Sequence, residues 1–137
     1  MSVLLDAFAL IALLANEPAA EEVEVVLRTG DVAMTAVNLA EALDVLQRLG
    51  RISNRRLAEL TGPLIGERIT LVVVDEQLAR DAADLRARRY HRTRSPVSLA
   101  DCILLAATGA SDELVTADRP LLRVAELENV RTRALSS

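Results

Sequence analysis

Val3-Leu-Leu-Asp6-Ala-Phe-Ala-Leu-Ile-Ala-Leu-Leu14 joins a three-residue apolar run to an aspartate and then to a helix-favouring stretch. An apolar run of this kind is consistent with a buried strand, and Asn16-Glu17-Pro18 breaks the helix that follows. Strand and helix continue to alternate beyond it. Ala19 to Arg28 reads as a helix closed by Thr29-Gly30, and Val32 to Val37 as a second strand. Asn38 to Leu49 reads as an amphipathic helix, with Leu39, Ala42, Leu43, Leu46 and Leu49 at helical spacing and Gly50 as its stop. Ser53 to Leu60 or Ile65 predicts a helix interrupted near Gly62-Pro63. Ile69 to Val74 is rich in β-branched residues and continuous, the pattern of a strand buried on both faces. Asp75 to Tyr90 is a long helix whose far end turns basic. After a hinge at Thr93 to Val97 come a helix (Ser98 to Thr108), a short strand (Glu113 to Thr116), a short helix (Arg119 to Val124) and a weak strand signal near Val130. This alternation predicts an α/β/α sandwich around a central, mostly parallel sheet of four to five short strands. No linker, composition shift or internal repeat divides residues 1–137, which read as one domain.

Composition narrows the function. The chain is 51 % apolar and 26 % charged, a globular balance rather than a disordered one. Its only aromatics are Phe8 and Tyr90, so the stacking platforms of many single-strand binders are missing, and an RNA partner would be held mainly through its backbone. All 16 basic residues are arginine, which excludes any mechanism built on a catalytic lysine. A P-loop nucleotidase is disfavoured by the same absence and by the lack of a G-x-x-x-x-G-K-S/T stretch. A receiver-like signalling domain, similar in length and class, typically needs a pocket lysine too. Cys102 is the lone cysteine, so there is no internal disulfide and no multi-cysteine metal site. The first residues carry no positive charge, Asp6 interrupts the early apolar run, and no apolar stretch reaches 18 residues. The chain reads as cytoplasmic, with no membrane association.

Four acids stand out by position. Asp6 ends the first predicted strand, and Glu41 lies one turn into the helix after the second. Asp101 is one turn into the helix opening at Ser98, and Asp118 follows the strand ending at Thr116. Loops at the carboxyl ends of parallel strands border a common crevice. Each acid also has a purely structural explanation. Asn38-Leu-Ala-Glu41 and Ser98-Leu-Ala-Asp101 both fit a capping box, Asp118 fits a cap before Arg119-Pro120, and Asp6 fits a cap at Ala7. Capping alone, however, does not require four acids at the mouth of one crevice. Carboxylates gathered there repel one another unless a cation compensates. Mg²⁺, a hard ion that favours oxygen ligands, suits that role, and such a site serves in-line phosphoryl displacement. Thr116 and Ser98 add hydroxyls able to orient a carboxylate or a bound water.

Four segments, in this order, resemble the PIN-domain ribonucleases and in particular the VapC-like toxins of bacterial toxin–antitoxin pairs: Val3 to Leu14, Thr35-Ala-Val-Asn-Leu-Ala-Glu41, Ser98-Leu-Ala-Asp101, and Leu114-Val-Thr-Ala-Asp118-Arg. The resemblance spans Val3 to about Val124. It implies a Mg²⁺-dependent endoribonuclease, with Mn²⁺ able to substitute, in which Asp6, Glu41, Asp101 and Asp118 bind metal and Thr116 assists. It also implies a cognate antitoxin and a homodimer. One departure is that family members often carry Ser or Thr within two residues after the first acid, where this chain has Ala7 and Phe8.

Other features have two readings each. Arg86, Arg88, Arg89, Arg92 and Arg94, with His91, form the one dense basic segment. It would either contact RNA phosphates or simply complement a helix dipole at a solvated end, and an acidic protein partner would fit it equally. His91 reads as a bystander and Cys102 as a small packed hydrophobe. The apolar residues of Ala7 to Ala15 and Ala19 to Arg28 exceed what a small sheet buries. They pack in the core, or form a dimer face or an antitoxin groove. The alternative to the enzyme is a non-catalytic PIN-like module that binds RNA or a protein.

Overall fold

Val3 and Leu5 are buried in one apolar cluster, and Leu4 between them in another. Successive strand residues point to opposite faces, so this strand has helices on both sides. The computed structural model describes residues 1–136. In chain order the elements are β1 (Ser2–Leu5), α1 (Ala7–Leu14), α2 (Ala20–Thr29), β2 (Asp31–Thr35), α3 (Ala36–Arg48), α4 (Asn54–Thr61), β3 (Ile69–Val72), α5 (Glu76–Arg89), α6 (Leu99–Ala107), β4 (Glu113–Thr116), α7 (Arg119–Leu127) and β5 (Arg131–Ala134). The strands form one sheet in the order β3-β2-β1-β4-β5. Every pairing is parallel, so the expected mostly parallel sheet is wholly so.

The same alternation recurs in β2 and β4. Val32, Met34 and Val115 join Val3 and Leu5 against Leu10 of α1 and Val23 and Val26 of α2. Ala33 and Leu114 join Leu4 against Leu85 of α5, Leu104 and Leu105 of α6, and Leu121 and Val124 of α7. Leu104 is fully buried, and α6 carries Asp101. Leu104→Ala is therefore expected to cost about 2–5 kcal/mol, read as a lower urea midpoint.

Three details differ from the sequence reading. The apolar run from Ile69 is not a strand buried on both faces: β3 is an edge strand in which only Ile69 is fully buried, and Val73, just past its end, is 72 % exposed. An edge strand lacks one neighbour, which a run of apolar residues does not reveal. The second strand ends at Thr35 rather than Val37, because the Thr35 hydroxyl accepts the Asn38 N–H and starts α3 at Ala36. Asn38 is thus inside the helix, and the Asn38–Glu41 capping box is replaced by a Thr35 cap. Finally, the weak signal near Val130 is a formed strand, β5, in register with β4 from Glu113 to Thr116.

The chain lays down β1, β2 and β3 outward in one direction, then returns to place β4 on the other side of β1. The order reverses between β1 and β4. In open parallel sheets a crevice forms at such a reversal, outside the carboxyl ends of the strands.

Candidate active site

Leu5 of β1 is in register with Val115 of β4, which brings the next residues, Asp6 and Thr116, side by side. The Thr116 hydroxyl donates to Asp6 Oδ2 and accepts the Asp118 N–H at 3.0 Å. Asp6 Oδ1 accepts the Ala9 N–H at 2.9 Å and so caps α1. Asp118 caps α7 in the same way, its Oδ1 accepting the Leu121 N–H at 3.0 Å. Ser98 and Asp101 form a complete capping box at the start of α6. The capping explanations for these three acids therefore hold. They do not compete with a shared site, since each cap occupies one carboxylate oxygen.

Glu41 reaches the crevice differently. Its helix starts at Ala36, which places Glu41 about a turn and a half in, one turn beyond Asn38. Buried Asn38 donates from its side-chain amide to Glu41 Oε1 at 3.0 Å and accepts the Thr35 hydroxyl at 2.9 Å. All four acids line one cavity of about 320 Å³, together with Asn38, Ala7, Phe8 and Ala117.

The electrostatics show the cost of this arrangement. Burial pushes the Asp6 carboxyl up to about 6 against the opposing hydrogen bonds from Thr116 and Ala9, and the Asp101 and Asp118 charges push it the same way. Asp101 is raised by burial and by Asp118. Glu41 is raised by burial, and Asp101 adds to this against the Asn38 hydrogen bond. Asp6, Asp101 and Asp118 all sit at helix amino ends, where the dipole favours anions, yet the first two remain raised. No three His, Cys, Asp or Glu side chains among the described residues close on a single point. The donor set is nonetheless all oxygen, anionic and mutually repulsive, which fits a hard divalent ion that keeps several waters. It does not fit a closed, all-protein cage.

The other expected residues fall elsewhere. The Ser98 hydroxyl accepts the Asp101 N–H, so it positions α6 and does not line the cavity. None of the clustered arginines lines it either. Arg86 donates to the Val97 carbonyl and stacks over Tyr90, 4.4 Å from the ring centre. Arg88 and Arg89 both bond Glu128, at 3.0 and 2.7 Å. The Arg94 carbonyl accepts from Arg123, and Arg92 is exposed. His91 Nδ1 accepts the Thr93 and Arg94 N–H groups and shapes the loop. Cys102 is buried beneath Asp101 on α6, and burial pushes its thiol up.

Sequence reasoning missed Asn38 and Thr35 as site residues. The available signal was the one-turn spacing of Asn38 and Glu41. Thr116→Val, nearly equal in volume, removes both the donor to Asp6 and the acceptor for Asp118. Support of this kind is typically worth ten- to a hundred-fold in metal affinity. Under the metal-binding role proposed below, that loss is expected here, measurable by calorimetric titration with Mn²⁺.

A wholly parallel α/β/α sandwich with a carboxylate pocket at its strand-order reversal defines the class of protein. The PIN domain model matches residues 3–127, and the chain belongs to the PIN domain family. No curated protein matches it. Among solved structures it is similar to VapBC2 from Rickettsia felis bound to a DNA fragment from their promoter, at 12 % identity and TM-score 0.70, over 99 % of this chain and 100 % of that one. DNA-bound VapBC from Salmonella typhimurium shares 21 % identity at TM-score 0.67, over 98 % of each chain. FitAcB from Neisseria gonorrhoeae shares 25 % identity at TM-score 0.61, over 95 % of each.

Proposed function

We propose that this PIN domain is a Mg²⁺-dependent endoribonuclease acting in the cytoplasm as the toxin of a toxin–antitoxin pair. The observation that carries this reading is the single cavity lined by Asp6, Glu41, Asp101 and Asp118, in which burial and mutual repulsion raise three of the four carboxyls. These four side chains would hold Mg²⁺, or Mn²⁺ in its place. A bound ion supplies an activated water and stabilises charge on the scissile phosphate. The chain's own residues prepare for that. Thr116 fixes the Asp6 carboxylate, Asn38 fixes Glu41, and the Ser98 box fixes Asp101. Asp118 Oδ2, Asp101 Oδ1 and Glu41 Oε2 take no hydrogen bond from the described residues, which leaves them free for the ion and its waters.

The antitoxin partner follows from the family resemblance, as does assembly as a homodimer. The groove between α1, α2 and α4, floored by Leu13, Leu14, Leu27, Leu60 and Leu64 and rimmed by Glu24, Arg28 and Arg68, would suit the antitoxin. The apolar face of an amphipathic helix would lie along its leucines. Among the described residues no helix is long and apolar enough to cross a membrane.

Incubating the purified chain with a labelled single-stranded RNA and its DNA counterpart in Mg²⁺ tests the substrate. Cleavage of the RNA alone is expected. Equal cleavage of both strands would overturn the RNA assignment, and cleavage of neither would favour a binding module.

A further inference from the structure

Ala117 belongs to two cavities. One is the acid pocket, and the other is a cleft of about 650 Å³ that starts beside it and runs down α7 against β5. We propose that this second cleft is the binding track for the RNA backbone leading away from the acid pocket, with Arg119 and Arg123 as its phosphate-contacting residues. The inference rests on the ribonuclease reading and adds to it the surface that holds the strand.

The placement follows from the helix. Asp118 caps α7, Arg119 is its first residue, and Arg123 lies one turn on along the same wall. Four residues of α-helix rise about 6 Å, comparable to the spacing between successive phosphates of an extended strand. The two guanidinium groups are thus set to meet neighbouring phosphates, the first of them immediately beyond an acid of the pocket. Thr132 offers a hydroxyl from the facing strand, and Glu126, one turn past Arg123, ends the basic stretch.

Availability separates these arginines from the denser cluster on α5. Arg119 forms no hydrogen bond or ion pair among the described residues, and its side chain is exposed. Arg123 uses one Nη1–H on the Arg94 carbonyl, which leaves its remaining donors free. By contrast, Arg88 and Arg89 share Glu128, and Arg86 is spent on Val97 and Tyr90. In a chain of net charge −4 with an acidic pocket, a strand needs local cations to approach at all. With only two aromatic residues available, backbone contact is the mode that remains.

The test is fluorescence anisotropy with a short, labelled, single-stranded RNA of mixed sequence in Mg²⁺, using Asp6→Asn as the parent so that the probe survives. Arg119→Ala/Arg123→Ala in that parent is expected to weaken binding several-fold. The slope of log K against log salt should fall by about 1.4, or about 0.7 for each phosphate no longer neutralised. Arg88→Ala/Arg89→Ala should leave the slope unchanged. Alanine is favoured in helices, so both double variants should stay folded, and a thermal melt checks this. Arg119→Ala alone gives half the change in slope without disturbing the hydrogen bond from Arg123 to Arg94. Unchanged affinity and slope in the folded Arg119/Arg123 variant, or no RNA binding by the parent, would overturn the proposal. RNA held through these arginines by a wild type that never cuts would sink the nuclease reading and leave the track standing. Cutting by the wild type with an unchanged salt slope in the variant would do the reverse.

Discussion

Asp6→Asn is expected to lower metal-dependent RNA cleavage by at least about a hundred-fold, the scale seen when one preorganised electrostatic group is removed from a site. The same substitution should raise the melting temperature of the metal-free protein at neutral pH. Asparagine is as good a helix cap as aspartate, so its Oδ1 can keep the Ala9 N–H. The Thr116 hydroxyl can reverse its role and accept from the new amide. What disappears is a charge buried among carboxylates, with Asp6 only 6 % exposed. A gain on the order of 5 to 10 °C is expected for a domain of this size, measurable by calorimetry in EDTA. A variant that loses both activity and stability would indicate that Asp6 serves mainly as a cap.

Metal-free stability should also fall as pH rises, and Mg²⁺ should restore it. In the unfolded chain Asp6 loses its proton near 3.8, and in the folded protein at about 6. Below 3.8 both states hold the proton and Asp6 contributes no pH dependence. Between the two values the unfolded state ionises first, so folding weakens with increasing pH. Above about 6 the full penalty stands, on the order of 3 kcal/mol. Glu41 and Asp101 are raised as well and act in the same sense. Asp112 is held low by N–H donors from Ser2 and Gly109, and Glu128, against the effect of its burial, by Arg89 and Arg88, so both act in the opposite sense. The difference between wild type and Asp6→Asn isolates the Asp6 share. Denaturant melts from pH 3.5 to 7.5 should show the wild type losing ground to the variant across about pH 4 to 6 in EDTA, and recovering it in Mg²⁺. Parallel curves for the two proteins would mean that Asp6 is not the strained group.

Much of the fold was legible in the sequence because the central strands are buried on both faces. Val3-Leu4-Leu5 and Leu114-Val115 carry no alternation to misread, and both helical layers cover them. The outer strands were harder. β5 is built on Arg131, Thr132 and Arg133, which lack an apolar signature, and it exists because its backbone pairs with β4. At β3 the apolar run was read correctly as a strand, while its place at the edge depends on neighbours the local sequence does not name.

The four acids were legible from their positions after strands, a consequence of sheet topology. Their supports were less so. Asn-x-x-Glu is the same pattern at a cap and inside a helix, and only the Thr35 hydroxyl decides between them. The arginine run was visible as charge, but its partner Glu128 lies some 40 residues away. Sequence proximity therefore could not separate committed arginines from free ones.

The most direct measurement is cleavage of total cellular RNA by the purified, antitoxin-free chain in Mg²⁺, in EDTA, and as four single variants: Asp6→Asn, Glu41→Gln, Asp101→Asn and Asp118→Asn. The account predicts discrete products in Mg²⁺ only, lost or sharply reduced in every variant while each remains folded. Cleavage that persists in EDTA, or that survives intact in the folded Asp6 and Asp101 variants, would contradict it.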